Sequence, residues 1–355
     1  MNVSTGKGAI KKWSFEAYQR DLELAERFTI ATISWDVAAN VFVRLRFGDI
    51  EGIGEVAPDG RAGDSPEATL QQLQRLDSEW LGDPFDLEGI LELPAPNAAR
   101  CALDIARHDL AAKLAGISVA ELLGLAGRAL PPTSLTVPIA EIDAMVGRAR
   151  RLADHPILKL KVGFDGDVEA VAAIRSVYPG TLRIDANEGW DADEALARLA
   201  QLERFDIELC EQPIPRGRLD ELRRVTNATS IPIFADEDVA TAADVAVLAG
   251  VVDGVNLKLR KTGGIREAVR AVSTARAVDL KVMLGCDLTS GVSATAEAPL
   301  ASLVDHADID GPLLLATDPH PGVTYDRGRM TLPPGPGLGV GGAGNHEVRR
   351  RGATS

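Results

Sequence analysis

From about Thr133 the chain settles into one repeated texture: a short apolar run, then a stretch with helical spacing, then the next run. The runs cover 135–138, 157–162, 182–185, 207–211, 231–236, 254–259, 281–286 and the stretch around 306–310, eight in all. The intervening stretches carry helix signals. Asp191 and Glu194, for example, form a capping-box pattern ahead of Leu196, Leu199 and Leu202. Repeated strand–helix units need parallel strands, and a series of this length closes into a TIM-type barrel of the α/β class. An open doubly wound sheet competes, but no Gly-rich first turn or switch point supports it.

The segment before the repeats reads differently. Asn40 to Arg46 alternates like a strand, and Gly52 to Glu55 is a second extended piece. Ser65 followed by Pro66 is a helix start. Leu103, Ala106, Leu110 and Leu114 mark one face of a helix that Gly116 ends. Strands followed by helices suggest a separate α+β domain. The expected organisation is an α+β capping domain at 13–128, a barrel at 129–320, a C-terminal return at 321–344 and a flexible tail at 345–355. A formal GxGxxG at Gly337, Gly339 and Gly342 is rejected as a dinucleotide site, because no strand-to-helix turn surrounds it.

Composition excludes several classes. With 38 Lys+Arg against 52 Asp+Glu, the net charge of −14 argues against nucleic acid or an anionic membrane as partner. No stretch of about 20 apolar residues and no secretory h-region is visible, so a cytoplasmic protein is expected. Three scattered cysteines, Cys101, Cys210 and Cys286, are too few for a disulfide framework. A homo-oligomer is the expected assembly.

In a barrel, chemistry sits where the strands end. Three consecutive runs end in Asp185-Ala186-Asn187, Glu211-Gln212-Pro213 and Asp236-Glu237-Asp238, spaced 26 and 25 residues apart. One such acid would be a helix cap or a solvated side chain. Three in register repel one another unless a cation joins them, and hard oxygen ligands suit Mg²⁺. Lys159 and Lys161 share one side of their run, because strand side chains alternate. Lys258 lies four strands further on, diametrically across a barrel of eight. Lys161 and Lys258 thus face each other with the carboxylates on the arc between. Such a pair can take the α-proton of a carboxylate substrate from one face and return a proton to the other, a 1,1-proton transfer through an enediolate. No two of the five histidines share a spacing that suggests a site.

The set Lys159-x-Lys161, Asp185-x-Asn187, Glu211-Gln212-Pro213, Asp236-Glu237 and Asn256-x-Lys258 resembles the muconate-lactonizing subgroup of the enolase superfamily. Arg100 to Ala106 looks like that family's capping-domain helix, and Pro336 to Gly339 like its C-terminal return. The resemblance implies an α+β capping domain over a (β/α)7β barrel and a Mg²⁺ enzyme. Asp185, Glu211 and Asp236 would be the metal ligands, and Lys161 and Lys258 the acid/base pair. Lys159, Asn187, Asp287, Asp308, Asp310 and Ile33 would lie around the substrate. Asp308-Ile309-Asp310 looks like the Asp-x-Asp with which dipeptide epimerases of the subgroup hold the substrate's α-ammonium. Two positions depart from the pattern. Asp287 precedes by two residues the place where relatives often carry Glu, here Thr289. Ile33 falls where Ala-Glu epimerases carry an Arg, which disfavours a Glu-containing dipeptide.

The reading is therefore Mg²⁺-dependent dipeptide epimerisation. N-acylamino acid racemase, muconate-type cycloisomerase and o-succinylbenzoate synthase are rivals that lack an ammonium for Asp308 and Asp310. A metal-dependent barrel hydrolase is the rival from another class, and it would want histidine ligands at strand ends.

Overall fold

The computed structural model describes residues 13–60, 63–76, 81–93 and 97–341. Residues 1–12, Gly342 and the expected tail at 345–355 lie outside the described residues. The N-terminal part is an antiparallel sheet of β1 (Trp13–Thr29), β2 (Ser34–Phe47) and β3 (Ile50–Val56). It is followed by helices α1 (Pro66–Gln74), α2 (Asn97–Ala115) and α3 (Val119–Leu122). Ser65 caps α1 as its sequence suggests, its hydroxyl accepting from the Ala68 N–H at 3.1 Å. Helix α2 lies directly on β3. A Cβ at Gly54 would sit 1.9 Å from the Ala102 carbonyl oxygen, so only glycine lets the two backbones approach this closely.

The barrel strands are β4 (Leu135–Val137), β5 (Ile157–Lys161), β6 (Thr181–Asp185), β7 (Ile207–Glu211), β8 (Ile233–Ala235), β9 (Gly254–Leu257), β10 (Lys281–Gly285) and β11 (His306–Asp308). They pair in chain order and all in parallel. A parallel bridge from Thr133 to Ala307, with the Ser134 N–H on the Ala307 carbonyl at 3.1 Å, joins the first strand to the last and closes the barrel. The helices of the repeats are α4 (Ile142–Arg151), α5 (Asp167–Arg175), α6 (Ala192–Leu202), α7 (Leu219–Ala228), α8 (Ala242–Val247), α9 (Leu259–Thr262), α10 (Ile265–Ala277) and α11 (Gly291–Glu297). Inside the barrel an apolar cluster of Leu209, Phe234 and Met283 fills the lumen. Buried Lys159, Asp185, Glu211 and Asn256 lie on β5, β6, β7 and β9.

Several contacts hold the cap over the mouth. The β1–β2 hairpin reaches across it: the Ala316 N–H donates to the Glu23 carbonyl and the Ile139 N–H to the Thr29 carbonyl, each at 2.9 Å. Leu22, Leu24 and Ala38 of the hairpin bury against Leu315. From α2, the Asp104 carboxylate accepts the Ile265 N–H at 2.6 Å, satisfying a donor at the start of α10. Beyond the barrel the short hairpin of β12 (Thr324–Asp326) and β13 (Arg329–Thr331) leads back to the cap, where Gly337 bridges Ser118 and the Leu338 N–H reaches Asp109 at 2.7 Å. Among the described residues no helix is long and apolar enough to cross a membrane.

Candidate active site

The site is built at the C-terminal ends of β5 to β11, under the hairpin. Asp185, Glu211 and Asp236 are 0, 0 and 1% exposed, and each ends a strand or directly follows one. The turns after β6 and β7 carry positive φ at Asn187 (44°), Glu188 (67°) and Gln212 (33°), a conformation that costs free energy and is typical of functional turns. Gln212 repays it. Its Oε1 accepts the Asp236 N–H at 2.9 Å, and its Nε2 donates to Asp238 at 2.8 Å and to the Ile214 carbonyl at 2.9 Å. Gln212 thus ties the end of β7 to the end of β8, a role that sequence spacing does not reveal.

Lys159, 2% exposed, is the hub. Its ammonium lies 3.0 Å from Asp185, 2.7 Å from Glu211 and 2.6 Å from Asp308. Burial disfavours that charge, but the three carboxylates outweigh it and hold the Lys159 pKa well above the usual range. Lys161 pairs with Asp185 at 2.6 Å and stands 6.0 Å from the Phe28 ring centre. Lys258 pairs with Asp236 at 3.0 Å, and Lys261 holds the other Asp236 oxygen at 2.5 Å. Burial opposes the ionisation of Asp185 and Asp236, yet the adjacent lysines keep both below the ordinary carboxylate range. Glu211 goes the other way: burial and then the Asp185 charge push it up to about 8. Lys258 is held above its ordinary value, because Asp236 and Asp287 outweigh its burial.

In barrel order β5 and β9 are four strands apart, so Lys161 and Lys258 approach one cavity from opposite walls. Asn187, Asp287, Asp308 and Asp310 line the same cavity. Asp308 accepts from Ser134 Oγ at 2.5 Å, and Asp310 from the Thr136 N–H at 2.7 Å. Asp287 is bound by Arg260 at 2.9 Å and lies 4.0 Å from Lys258. Ile33 is the exception. It is 38% exposed and is not among the cavity's lining residues; Phe28 and Ile30 of the hairpin are. The reason is local: the Ile30 N–H closes a tight turn on the Ile33 carbonyl at 3.0 Å, which leaves Ile33 on the outer side.

The donor set can be tested for a cation. Among the described residues no three carboxylates are gathered as for one ion, because the lysine ammoniums stand between them. The oxygens nevertheless suit a hard cation. The buried Asn187 Oδ1 and Asn256 Oδ1 have no hydrogen-bond donor, and Glu211 Oε2 meets only the Lys159 charge. Unsatisfied buried acceptors beside an all-oxygen carboxylate set fit Mg²⁺ and its waters.

Comparison with known proteins bears on this arrangement. Residues 17–124 match the mandelate racemase / muconate lactonizing enzyme N-terminal domain, and residues 144–342 match the enolase C-terminal domain-like family. The chain belongs to the enolase superfamily. It is an isomerase of the racemase and epimerase kind. An L-Ala-D/L-Glu epimerase of Bacteroides thetaiotaomicron is 36% identical, covering 94% of this chain and 89% of the relative. A hydrophobic dipeptide epimerase of Roseobacter litoralis is 38% identical, covering 83% and 88%. Among solved structures, the Cytophaga hutchinsonii dipeptide epimerase complexed with Mg and D-Ala-L-Val superposes with a TM-score of 0.86 at 31% identity, covering 94% of this chain and 96% of that one.

Proposed function

We propose that this protein epimerises dipeptides by 1,1-proton transfer, with Mg²⁺ as cofactor. The observation that carries the reading is the pair of buried lysines, Lys161 and Lys258, on opposite walls of one cavity with buried carboxylates between them. A dipeptide places its α-ammonium at Asp308 and Asp310, two cavity-lining carboxylates at and just beyond the end of β11. Its carboxylate then points across the barrel toward β6 to β8. The α-carbon of the second residue falls between Lys161 Nζ and Lys258 Nζ. One Nζ, as the free amine, takes the α-proton from its face; the enediolate so formed is reprotonated by the ammonium of the other on the opposite face. Asp185, Glu211 and Asp236 would hold the Mg²⁺, which neutralises their charge and stabilises the enediolate's second negative charge. Lys159 and Asn256 fix Glu211, the latter donating to it at 2.7 Å. The cap excludes water from the cavity through Phe28, Ile30 and Trp35.

An ammonium-binding pair favours dipeptides over N-acylamino acids and lactone-forming acids, which present no such cation. The cavity's lining cations are Lys159, Lys161 and Lys258, all committed to carboxylates, and Arg27 pairs outward with Asp36 at 2.9 Å. A second-residue Glu therefore meets Phe28 and Ile30 rather than a counter-ion, and desolvating it costs kcal/mol. The test is a library of L,L-dipeptides in D₂O with Mg²⁺, read by mass spectrometry for deuterium at the second α-carbon. Incorporation with L-Ala-L-Leu or L-Ala-L-Phe at a kcat/KM at least tenfold above L-Ala-L-Glu is expected. Exchange of N-acylamino acids but of no dipeptide would replace this reading with the racemase one.

A further inference from the structure

The turn from Cys286 to Ser290, between β10 and α11, brings Cys286, Asp287 and Leu288 to the cavity. Asp287 stands 4.0 Å from Lys258 and 2.9 Å from Arg260. The turn is gripped by a cap residue that does not itself line the cavity. Glu55 of β3 is 0% exposed. Its Oε1 accepts from Asn40 Nδ2 at 2.7 Å and from the Ser290 N–H at 2.9 Å. Its Oε2 accepts from Ser290 Oγ at 2.7 Å and from the Ser293 N–H at 3.2 Å. The Glu55 carbonyl accepts from Ser293 Oγ at 3.1 Å, and Asn40 also donates to the Leu288 carbonyl at 3.0 Å. Four donors on two oxygens match a carboxylate, which only accepts. An amide in its place has one oxygen and turns an NH₂ toward donors, so at least one buried N–H loses its acceptor.

We propose that Glu55 is a positioning residue for Lys258: it fixes the turn Cys286–Ser290, and with it the Asp287 carboxylate beside the Lys258 ammonium. The inference rests on the epimerase reading with its two opposed lysines. Lys258 Nζ has two carboxylate neighbours, Asp236 at 3.0 Å and Asp287 at 4.0 Å. Only the second comes from the turn that Glu55 holds. Lys161, on the opposite wall, is paired with Asp185 at 2.6 Å and stands near Phe28, neither of which belongs to that turn. Loosening Glu55 therefore disturbs one face of the α-carbon and spares the other. A residue that only stabilises the fold has no means of telling the two faces apart.

The experiment measures α-proton exchange in D₂O with Mg²⁺ from L-Ala-L-Leu and from L-Ala-D-Leu. Lys258→Ala identifies the epimer whose exchange depends on Lys258. Glu55→Gln is expected to slow exchange from that epimer at least about tenfold more than from the other, since a reacting group displaced by about 1 Å can lose about 10²-fold. Asp287→Asn should show the same preference, and the double variant should be no more selective than Asp287→Asn alone. Ser290→Ala, which removes one donor and keeps Glu55, should bias exchange in the same direction, and it decides the matter where Glu55→Gln does not fold. Equal losses from both epimers in Glu55→Gln, or in Ser290→Ala where only that variant folds, make Glu55 a structural residue and overturn the proposal. A double variant more selective than Asp287→Asn overturns the route through Asp287. If Lys161→Ala and Lys258→Ala, with Glu55 intact, show no opposite preferences, the two-base reading falls and the role of Glu55 with it.

Discussion

At the scale of single residues, the opposed lysines make a stereochemical prediction. Lys161→Ala should abolish α-proton exchange from one substrate epimer far more than from the other, and Lys258→Ala should show the reverse preference. A positioned base contributes 10²–10⁴-fold, so the asymmetry should be large. A variant that exchanges both epimers at the wild-type rate would show that its lysine is not a base. Asp310 makes a prediction about pH. Burial and then the Asp308 charge push its pKa up to about 6. The folded protein holds this proton more tightly than the unfolded chain, so ionising Asp310 costs stability as pH rises from the ordinary carboxylate range through about 6. A bound ammonium favours the ionised form. Dipeptide KM should accordingly fall as pH climbs through about 6, and Asp310→Asn should flatten that limb. An unaltered KM profile in the variant would place the ammonium elsewhere.

At the scale of elements, the sequence was most legible where one period ran uninterrupted. Each of the eight apolar runs after Thr133 overlaps a barrel strand, and Lys161, Asn187, Lys258, Asp287, Asp308 and Asp310, at or just past the ends of five of them, line one cavity. Strand ends show in sequence because the apolar run stops where the lumen opens. The cap was less legible. The strand read at Asn40 to Arg46 is part of β2, but β1 at Trp13–Thr29 gave little signal, because most of its side chains are partly exposed and their polarity does not alternate cleanly. The bridging role of Gln212 does not show in the sequence because its partners lie up to 26 residues away, and the outward turn of Ile33 does not show because a tight turn is invisible to alternation. Packing of α2 on β3 is an element-scale property with its own test. Gly52 and Gly54 have no room for a Cβ, the nearest backbone oxygens standing 2.3 and 1.9 Å from where it would be. Gly54→Ala must push helix and strand apart, an overpacking cost of about 1–3 kcal/mol. It should appear as a lower urea midpoint with an unchanged slope. A midpoint equal to the wild type would mean that α2 does not seat on β3 as closely as described.

At the scale of the whole molecule, cap and barrel meet over the reacting atoms, so whatever fixes one against the other also fixes the cavity. Arg260 carries much of that load. It begins just after Lys258 on the short helix α9, and it reaches Asp59 and Asp64 across 201 and 196 positions of chain. No local pattern can reveal such a contact; only closure of the barrel under the cap brings the partners together. The guanidinium suits the task because its planar fork can serve several carboxylates at once, which a lysine ammonium at the end of a flexible stem cannot. Removing it takes the shared guanidinium away from three poorly solvated carboxylates, and breaking a buried pair by deleting one partner costs about 3–5 kcal/mol. Arg260→Met should therefore lose stability on that scale, and Arg260→Lys should recover only part of it. The loss should also be local. Residues 57–60 and 63–65, which Arg260 pins through Asp59 and Asp64, should exchange their amide hydrogens faster in Arg260→Met, while β5 to β7, which Arg260 does not touch, keep wild-type protection. Combining Arg260→Met with Asp59→Asn and Asp64→Asn removes most of the uncompensated charge, and should restore stability without restoring the protection of those residues. If they remain as protected in Arg260→Met as in the wild type, the cap is held by the α2 contacts and the hairpin alone, and Arg260 serves only to neutralise the wall of the cavity.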